Sequence, residues 1–223
     1  MATATKATVT DDQTWRTIAY ALKKRGYKNI NFTPVTDEKQ MPPKMSSKVA
    51  WWATATGDSL DNILVVRCVG TRIMKPGVSK RVREMSSLLD NQEPKNLPAR
   101  LLIVADSLGF KNHYRPEMDL FEKKASEMKV PVRFLLARDV RFNALEHRLV
   151  PEHKLMSESD VNGLAKSYGF GDRVAEFKAS LPKMGIYDPI AALLGGRPGD
   201  VFKIHRKGGD FAYRVVVADF GTS

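Results

Sequence analysis

Four histidines and a single cysteine are the side chains of this 223-residue chain that could bind a transition metal. Zinc sites are built from about four ligands, and two histidines that share a helix face are typically four residues apart. No two of these histidines have that spacing, and one cysteine cannot form a multi-thiolate site. We therefore predict no metal and no cofactor, and expect surface or hydrogen-bonding roles for His113, His147, His153 and His205.

Carboxylates could instead support a metal-dependent nuclease. Such an enzyme holds Mg²⁺ with clustered carboxylates, commonly an Asp together with a Glu-x-Lys on a strand. Glu-x-Lys occurs at five places, all outside the predicted strands, and the most strand-like segment, residues 65–69, contains no carboxylate. The five glutamates are Glu93, Glu122, Glu127, Glu152 and Glu176. We predict no catalytic residues, and keep a basic α/β nuclease or free-standing DNA-binding protein as the alternative interpretation.

Two further motifs of catalysis and phosphate binding are absent from the sequence: the nucleophile elbow G-x-S-x-G and the P-loop. Residues 195–200 are rich in glycine but lack the Lys-Ser/Thr ending of a P-loop and precede a predicted strand. Because no helix N-terminus would face a phosphate there, we interpret this segment as a turn.

The distribution of charge separates the two halves of the chain. Residues 1–143 contain 25 Lys and Arg against 15 Asp and Glu, whereas residues 144–223 contain 11 against 10. Nearly all of the net charge of +11 therefore lies in the first part. A basic excess in one domain favours a polyanionic partner, because neutralised phosphates release counterions; a basic surface that maintains solubility is the alternative.

Basic side chains cluster at two places in that first part. One cluster lies at the start of a predicted helix, and the other lies in the loop after a predicted strand, where α/β folds usually place ligand contacts. Lysine and arginine suit contacts to phosphates. We predict that these residues contact DNA: Lys80, Arg81, Arg83, Lys111, His113 and Arg115.

Three apolar, β-branched runs in the first part predict buried strands, with a helical pattern between each pair. The strands are residues 63–69, 101–105 and 132–136, and the helices are residues 77–89 and 116–129. This alternation predicts an α/β layer whose sheet is at least partly parallel. Asp11 and Asp12 suggest the start of an earlier helix that stops at Gly26; residues 1–10 are predicted as a disordered tail, and residues 33–60 as a long loop with a short element at 49–52.

The last 80 residues have a different pattern, typical of an α+β domain. Ser157 and Asp188 are positioned to cap helices, the second with Pro189 at its first helical position. Residues 201–204 and 211–217 predict two strands joined through glycines as a hairpin. We expect two domains, residues 11–143 and 144–223.

The second domain resembles a known family. Residues 146–153, Glu-His-Arg-Leu-Val-Pro-Glu-His, resemble the E-H-x-L-V-P-E-H pattern of the fifth common subunit of eukaryotic RNA polymerases I, II and III, a family that also includes the short archaeal H polypeptide. Further matches follow in order at residues 155–157, 181–183, 188–191, 197–204 and 213–216. In the first domain, residues 15–27 and 101–104 resemble the first helix and a strand of the family.

The resemblance implies a non-catalytic subunit of a DNA-dependent RNA polymerase. Its N-terminal domain would be an α/β jaw near downstream duplex DNA, similar in fold to restriction nucleases but without their active site. Its small C-terminal assembly domain would dock on the largest subunit and help to anchor the sixth common subunit. Carried over by position, the subunit-interface residues are Val150, Pro151, Glu152, His153, Asp188, Pro189, Arg197, Gly199, Tyr213 and Arg214.

Several departures from the family pattern suggest a divergent paralogue or a viral homologue. Ala192, Leu193 and Leu194 replace the family's arginine and aromatic residue, and the final hairpin loop is shorter. The single cysteine, an N-terminus without a signal sequence, and the lack of a roughly 20-residue apolar run favour a reducing compartment and no membrane. We expect the nucleus, the nucleolus for a polymerase I subunit, or a viral factory or virion for a viral one; a transcription-factor adaptor remains a third interpretation.

Overall fold

The computed structural model describes residues 3–35, 49–58, 60–69, 99–106, 127 and 130–218. Its contacts divide the chain into two compact units, Met1–Phe142 and Asn143–Ser223. Each unit has its own sheet and its own hydrophobic core.

The first unit begins with a long helix, α1 (Thr3–Lys24). The predicted tail is therefore wrong from residue 3 onward, and Asp11 and Asp12 lie inside the helix rather than before it. No glycine or proline interrupts the sequence from Thr3 to Lys24, so nothing in it forces a break. The helix buries Ile18 and Leu22, and its last turn closes with a hydrogen bond from the Tyr27 amide to the Leu22 carbonyl at 3.1 Å.

A five-stranded sheet in the order β1-β2-β3-β4-β5 forms the centre of this unit. The strands are β1 (Asn29–Pro34), β2 (Val49–Gly57), β3 (Leu60–Cys68), β4 (Arg100–Ala105) and β5 (Val132–Leu136). The first three strands pair antiparallel, and β3, β4 and β5 pair parallel. The three predicted strands and the partly parallel sheet are confirmed. Val65, Val66 and Ile103 are fully buried, which explains the continuous apolar runs.

The predicted long loop over residues 33–60 is wrong, because most of its described part is strand. β2 alternates buried and half-exposed side chains, but small residues such as Ala53 and Ala55 occupy its buried face and weaken the apolar pattern. The sequence analysis also missed β1, whose side chains are mostly exposed. The predicted helices at 77–89 and 116–129 lie outside the described residues, apart from a helical Glu127.

An ion pair joins the carboxyl ends of two neighbouring parallel strands. The guanidinium of Arg67, near the end of β3, is 2% exposed and donates to Asp106, the residue after β4, and to the Cys68 carbonyl. Cys68 is buried, as predicted for a strand residue. A short helix, α2 (Ala137–Val140), follows β5 and ends this unit.

The second unit contains a four-stranded sheet in the order β6-β8-β9-β7. Its strands are β6 (Glu152–Leu155), β7 (Lys183–Gly185), β8 (Val201–His205) and β9 (Phe211–Val217). β6, β8 and β9 pair antiparallel, and β7 pairs parallel with β9. The predicted hairpin is confirmed as β8–β9, whereas β6 and β7 were not predicted.

Three helices cover the two faces of this sheet: α3 (Glu158–Ser167), α4 (Val174–Ser180) and α5 (Pro189–Leu193). One face packs against α3 and α4 around Phe177 and Val215. The other face packs against α5 around Phe202. The predicted caps are confirmed, since Ser157 Oγ accepts from the Asp160 amide at 3.1 Å and Asp188 Oδ1 accepts from the Ile190 amide at 2.8 Å.

Gly196, just after α5, is required by close packing. A Cβ at this position would lie 2.7 Å from the Phe202 ring, closer than carbon atoms approach one another. Phe202 is fully buried and has no room to move away. The glycine therefore lets the end of α5 lie directly on the sheet.

Candidate subunit interface

The segment that resembles the polymerase family, residues 146–153 and here called the signature segment, is a series of turns that ends in β6. One turn of 3-10 helix (Ala144–Glu146) precedes it, capped by Asn143, whose Oδ1 accepts from the Leu145 amide at 3.2 Å. The Val150 amide then donates to the His147 carbonyl at 2.9 Å. These local bonds hold Leu149 outward, and its side chain is 68% exposed.

A groove lies beside this segment, at the hairpin end of the sheet, and we call it the hairpin-end groove. Its volume is about 470 Å³. Glu152 and His205 are cross-strand partners, so the start of β6 lies beside the end of β8 and the hairpin turn that follows. The residues that line the groove are Arg148, Leu149, Val150, Pro151, Glu152, His205, Arg206 and Lys207.

The charge of the hairpin-end groove is positive. Arg148, Arg206 and Lys207 supply three cations against the one carboxylate of Glu152. None of these four side chains forms an ion pair with another residue in the part of the chain that the structure describes. With exposed Leu149 beside them, they form an apolar and basic surface that fits an acidic partner surface.

Of the ten predicted interface residues, three line this groove: Val150, Pro151 and Glu152. Val150 also packs against the core around Phe202. The sequence analysis missed Arg148, Leu149, His205, Arg206 and Lys207. A basic run of three next to a hairpin was the available signal for the last three, but its spatial neighbour lies more than fifty residues earlier in the chain.

His153 has an internal role in the structure. Its Nδ1 is 2.7 Å from the carbonyl oxygen of Pro151, and because a carbonyl can only accept, Nδ1 carries the proton. Its ring also packs edge-on against Phe202. These contacts hold the end of the signature segment against β8.

Asp188 and Pro189 likewise shape the fold locally. Asp188 Oδ1 accepts from the Ile190 and Ala191 amides at 2.8 and 3.3 Å, and Pro189 occupies the first helical position of α5. The carboxylate therefore compensates unsatisfied amides at the helix start.

Arg197 and Gly199 lie in the turn before β8, at the opposite end of the strand from the hairpin-end groove. Gly199 has a φ of 90°, and its amide donates to the Val216 carbonyl at 2.8 Å. The Arg197 amide donates to Asp200 Oδ2 at 2.8 Å, while the residue itself is exposed. Gly199 is thus a turn residue, and the Arg197 side chain is available to a partner.

Tyr213 and Arg214 point to opposite faces of the sheet. Tyr213 pairs with Lys203 and packs on the α3 side, where burial, and to a smaller extent neighbouring Tyr168, raises the pKa of its hydroxyl. Arg214 pairs with Phe202, is exposed, and lies on the α5 side. These two predicted interface residues are therefore not brought together.

The six predicted DNA-binding residues, Lys80, Arg81, Arg83, Lys111, His113 and Arg115, lie outside the described residues. Within the described ranges, no group of three or more His, Cys, Asp and Glu side chains is arranged to hold a metal ion. None of the helices described is long and apolar enough to cross a bilayer.

Comparisons with known proteins bear on the second unit. Residues 142–217 match the family model described as RNA polymerase Rpb5, C-terminal domain. The chain is 39% identical over 88 residues to DNA-directed RNA polymerase subunit Rpo5 of Thermococcus kodakarensis, a match that takes up 38% of this chain and all of that relative. The chain belongs to the Rpb5 family of RNA polymerase subunits.

Other Rpb5-family relatives match the same proportion of the chain. Rpo5 of Archaeoglobus fulgidus is 39% identical over 82 residues, covering 35% of this chain and all of the relative. Rpo5 of Methanococcoides burtonii is 36% identical over 81 residues, covering 34% and 96%. The prediction of an Rpb5-like polymerase subunit is confirmed. The family model begins at residue 142 and ends at residue 217, which leaves the first unit outside it.

Proposed function

We propose that this Rpb5-family chain is a non-catalytic structural subunit of a multisubunit DNA-dependent RNA polymerase, and that its second unit docks on the largest subunit. The observation that carries the proposal is that the family match coincides with a compact unit whose signature segment borders an exposed apolar and basic groove. The groove has the features of a docking surface: an exposed Leu149 surrounded by charges that the described residues do not neutralise.

A co-purification experiment tests the docking. Leu149→Asp in the full-length tagged chain should abolish recovery of the large polymerase subunits, because the change puts a carboxylate into the apolar part of the hairpin-end groove. The fold should persist, since Leu149 is 68% exposed. Ala175→Asp is the matched control, at an exposed position of α4 away from the groove. If Leu149→Asp chains retain the polymerase as well as Ala175→Asp chains do, the groove is not the docking surface.

We further propose that the first unit is the jaw, with a fold similar to that of restriction nucleases but without an active site. The ion pair of Arg67 and Asp106 supports the absence of catalysis. Asp106 lies at the carboxyl end of a parallel strand, where a nuclease could place a metal ligand, but here it receives a hydrogen bond from a buried guanidinium. A carboxylate held in this way already has its charge compensated.

The proposed DNA binding depends on the predicted basic residues of the first unit. Replacing Lys111 and Arg115 with Ala should weaken binding of duplex DNA without regard to its sequence. It should also lower the slope of log affinity against log salt by about two, one for each phosphate that the variant no longer neutralises. Lys166→Ala, in α3 of the second unit, is the control and should leave the slope unchanged.

An unchanged slope in the double variant would exclude Lys111 and Arg115 from the DNA-binding surface. Plasmid DNA incubated with the full-length chain and Mg²⁺ should stay intact, whereas sustained cutting would favour the nuclease interpretation. We place the protein in the nucleus, or in a viral factory if it is viral, and infer that the sixth common subunit lies beside it in the complex.

A further inference from the structure

We propose that a second groove on the assembly unit, separate from the hairpin-end groove, binds an acidic peptide segment of a partner protein that carries an apolar side chain. This α3 groove lies between β6, α3 and the β8–β9 hairpin and has a volume of about 400 Å³. The residues on which the argument rests are Lys154, Met156, Gly163, Leu164, Lys203 and Tyr213. The proposal rests on the proposed function, because a polymerase subunit is surrounded by other subunits that can supply such a segment.

The positive charge of the α3 groove comes from two lysines on neighbouring strands. Lys154 and Lys203 stand directly opposite each other in the antiparallel pair β6–β8. Like charges in this position destabilise a sheet. No carboxylate of the described residues lies within ion-pair distance of either ammonium group. A carboxylate from another chain would relieve the repulsion.

Aromatic neighbours position this charge without neutralising it. The Lys203 ammonium lies 3.8 Å from the centre of the Phe211 ring, a cation–π contact. Tyr213 is the cross-strand partner of Lys203 on the other side and also lines the groove. The lysines and the tyrosine thus form one row across three strands, facing the same side of the sheet.

Gly163 indicates where the partner approaches. It lies in the middle of α3, where glycine weakens a helix relative to alanine. A Cβ at this position would have no atom of the described chain within 4 Å, so internal packing does not require the glycine. The groove wall that Gly163 forms is therefore open for the backbone of another segment to lie against α3.

The shape and lining of the α3 groove favour a peptide over nucleic acid. Met156 and Leu164 are half-buried and give the groove an apolar part that accepts an aliphatic or aromatic side chain. Surfaces that bind DNA are broader, more polar and more densely basic. Two lysines beside an apolar recess instead match an acidic segment with one apolar anchor.

Binding to the full-length chain tests the proposal, with a fluorescein-labelled synthetic peptide of alternating Glu and Leu as the probe. Lys154→Gln combined with Lys203→Gln should weaken binding by about tenfold, the effect expected for the loss of charged hydrogen bonds. Gly163→Leu should weaken it similarly by filling the wall of the groove. Lys183→Gln, on the far edge strand β7, removes a charge outside the groove and should change binding little.

Each alternative outcome overturns the proposal. Equal losses for Lys183→Gln and the groove variants would mean that the peptide responds only to net charge. Retained binding in Gly163→Leu would exclude the α3 groove. If the double lysine variant loses affinity for single-stranded DNA but not for the peptide, the ligand is nucleic acid.

Failure of this proposal is distinguishable from failure of the proposed function. The peptide assay needs no polymerase, whereas the test of docking is recovery of the large subunits by Leu149→Asp chains. Intact recovery of the polymerase by the groove variants, together with unchanged peptide binding, would leave the docking proposal standing and remove this one.

Discussion

At the scale of single residues, the first unit depends on a buried guanidinium with a nearby carboxylate. Arg67 is 2% exposed, whereas the Asp106 side chain with which it pairs is 29% exposed. Removing the carboxylate would leave a cation inside the sheet with one compensating charge fewer. The neighbouring strands also carry a second Arg–Asp pair, Arg100 with Asp61, whose carboxylate is 62% exposed. The two pairs differ mainly in burial.

We predict that Asp106→Asn lowers the free energy of unfolding by about 3 kcal/mol, the lower end of the range for breaking a buried ion pair. Asp61→Asn, the exposed counterpart, should cost at most about 1 kcal/mol. Urea denaturation of both variants measures the difference. Equal destabilisation would mean that the burial of Arg67 has no energetic consequence.

The residues of the interface could be predicted from the sequence only in part. Asp188, Pro189 and the turn at Gly199 were identifiable because caps and turns depend on neighbours within a few positions. The sequence placed them at the interface, but the structure shows that Asp188 satisfies amides of its own helix. Arg206 and Lys207 were missed because the groove they form with Leu149 exists only after β6 pairs with β8.

At the scale of elements, strands that are buried on both faces were predictable and edge strands were not. β3, β4 and β5 contain continuous apolar runs, which only burial on both faces produces. β1 and β6 lie at sheet edges with mostly exposed side chains, so their sequences have little apolar alternation. Their strand conformation comes from pairing with a neighbour that the local sequence does not contain.

Helix α3 offers a test of the cost of a mid-helix glycine. Gly163→Ala should raise the free energy of unfolding by about 0.5–1 kcal/mol, because alanine loses less backbone entropy in a helix and would meet no steric obstacle here. Thermal or urea denaturation measures the change. Gly196→Ala is the contrasting substitution, since its Cβ would meet the Phe202 ring, and it should destabilise the protein. Destabilisation by both would show that Gly163 has a structural role inside the chain.

At the scale of the whole molecule, the second unit has the properties of an independent domain. It has its own sheet, and cores lie on both faces of that sheet. The Rpo5 relative from Thermococcus kodakarensis is matched over its whole length by this part of the chain. A relative that consists of the matched region alone indicates that the region needs no jaw in order to fold.

We therefore expect a fragment of residues 143–223 to fold by itself. It should show a single cooperative thermal transition by circular dichroism. The fragment carrying Gly196→Leu is a control that should lose this transition, because the larger side chain cannot fit against Phe202. A gradual, non-cooperative melt of the unmodified fragment would mean that the second unit depends on the first.

The pairing of Tyr213 with Lys203 and of Arg214 with Phe202 limits where evolution can change the length of this domain. Adding one residue within β9 would exchange inward and outward side chains along the rest of the strand, sending Arg214 towards the helices. Residues added at the tip, between His205 and Phe211, leave the alternation intact. Insertions and deletions among relatives should therefore accumulate at the tip, and the number of residues in β9 should stay the same.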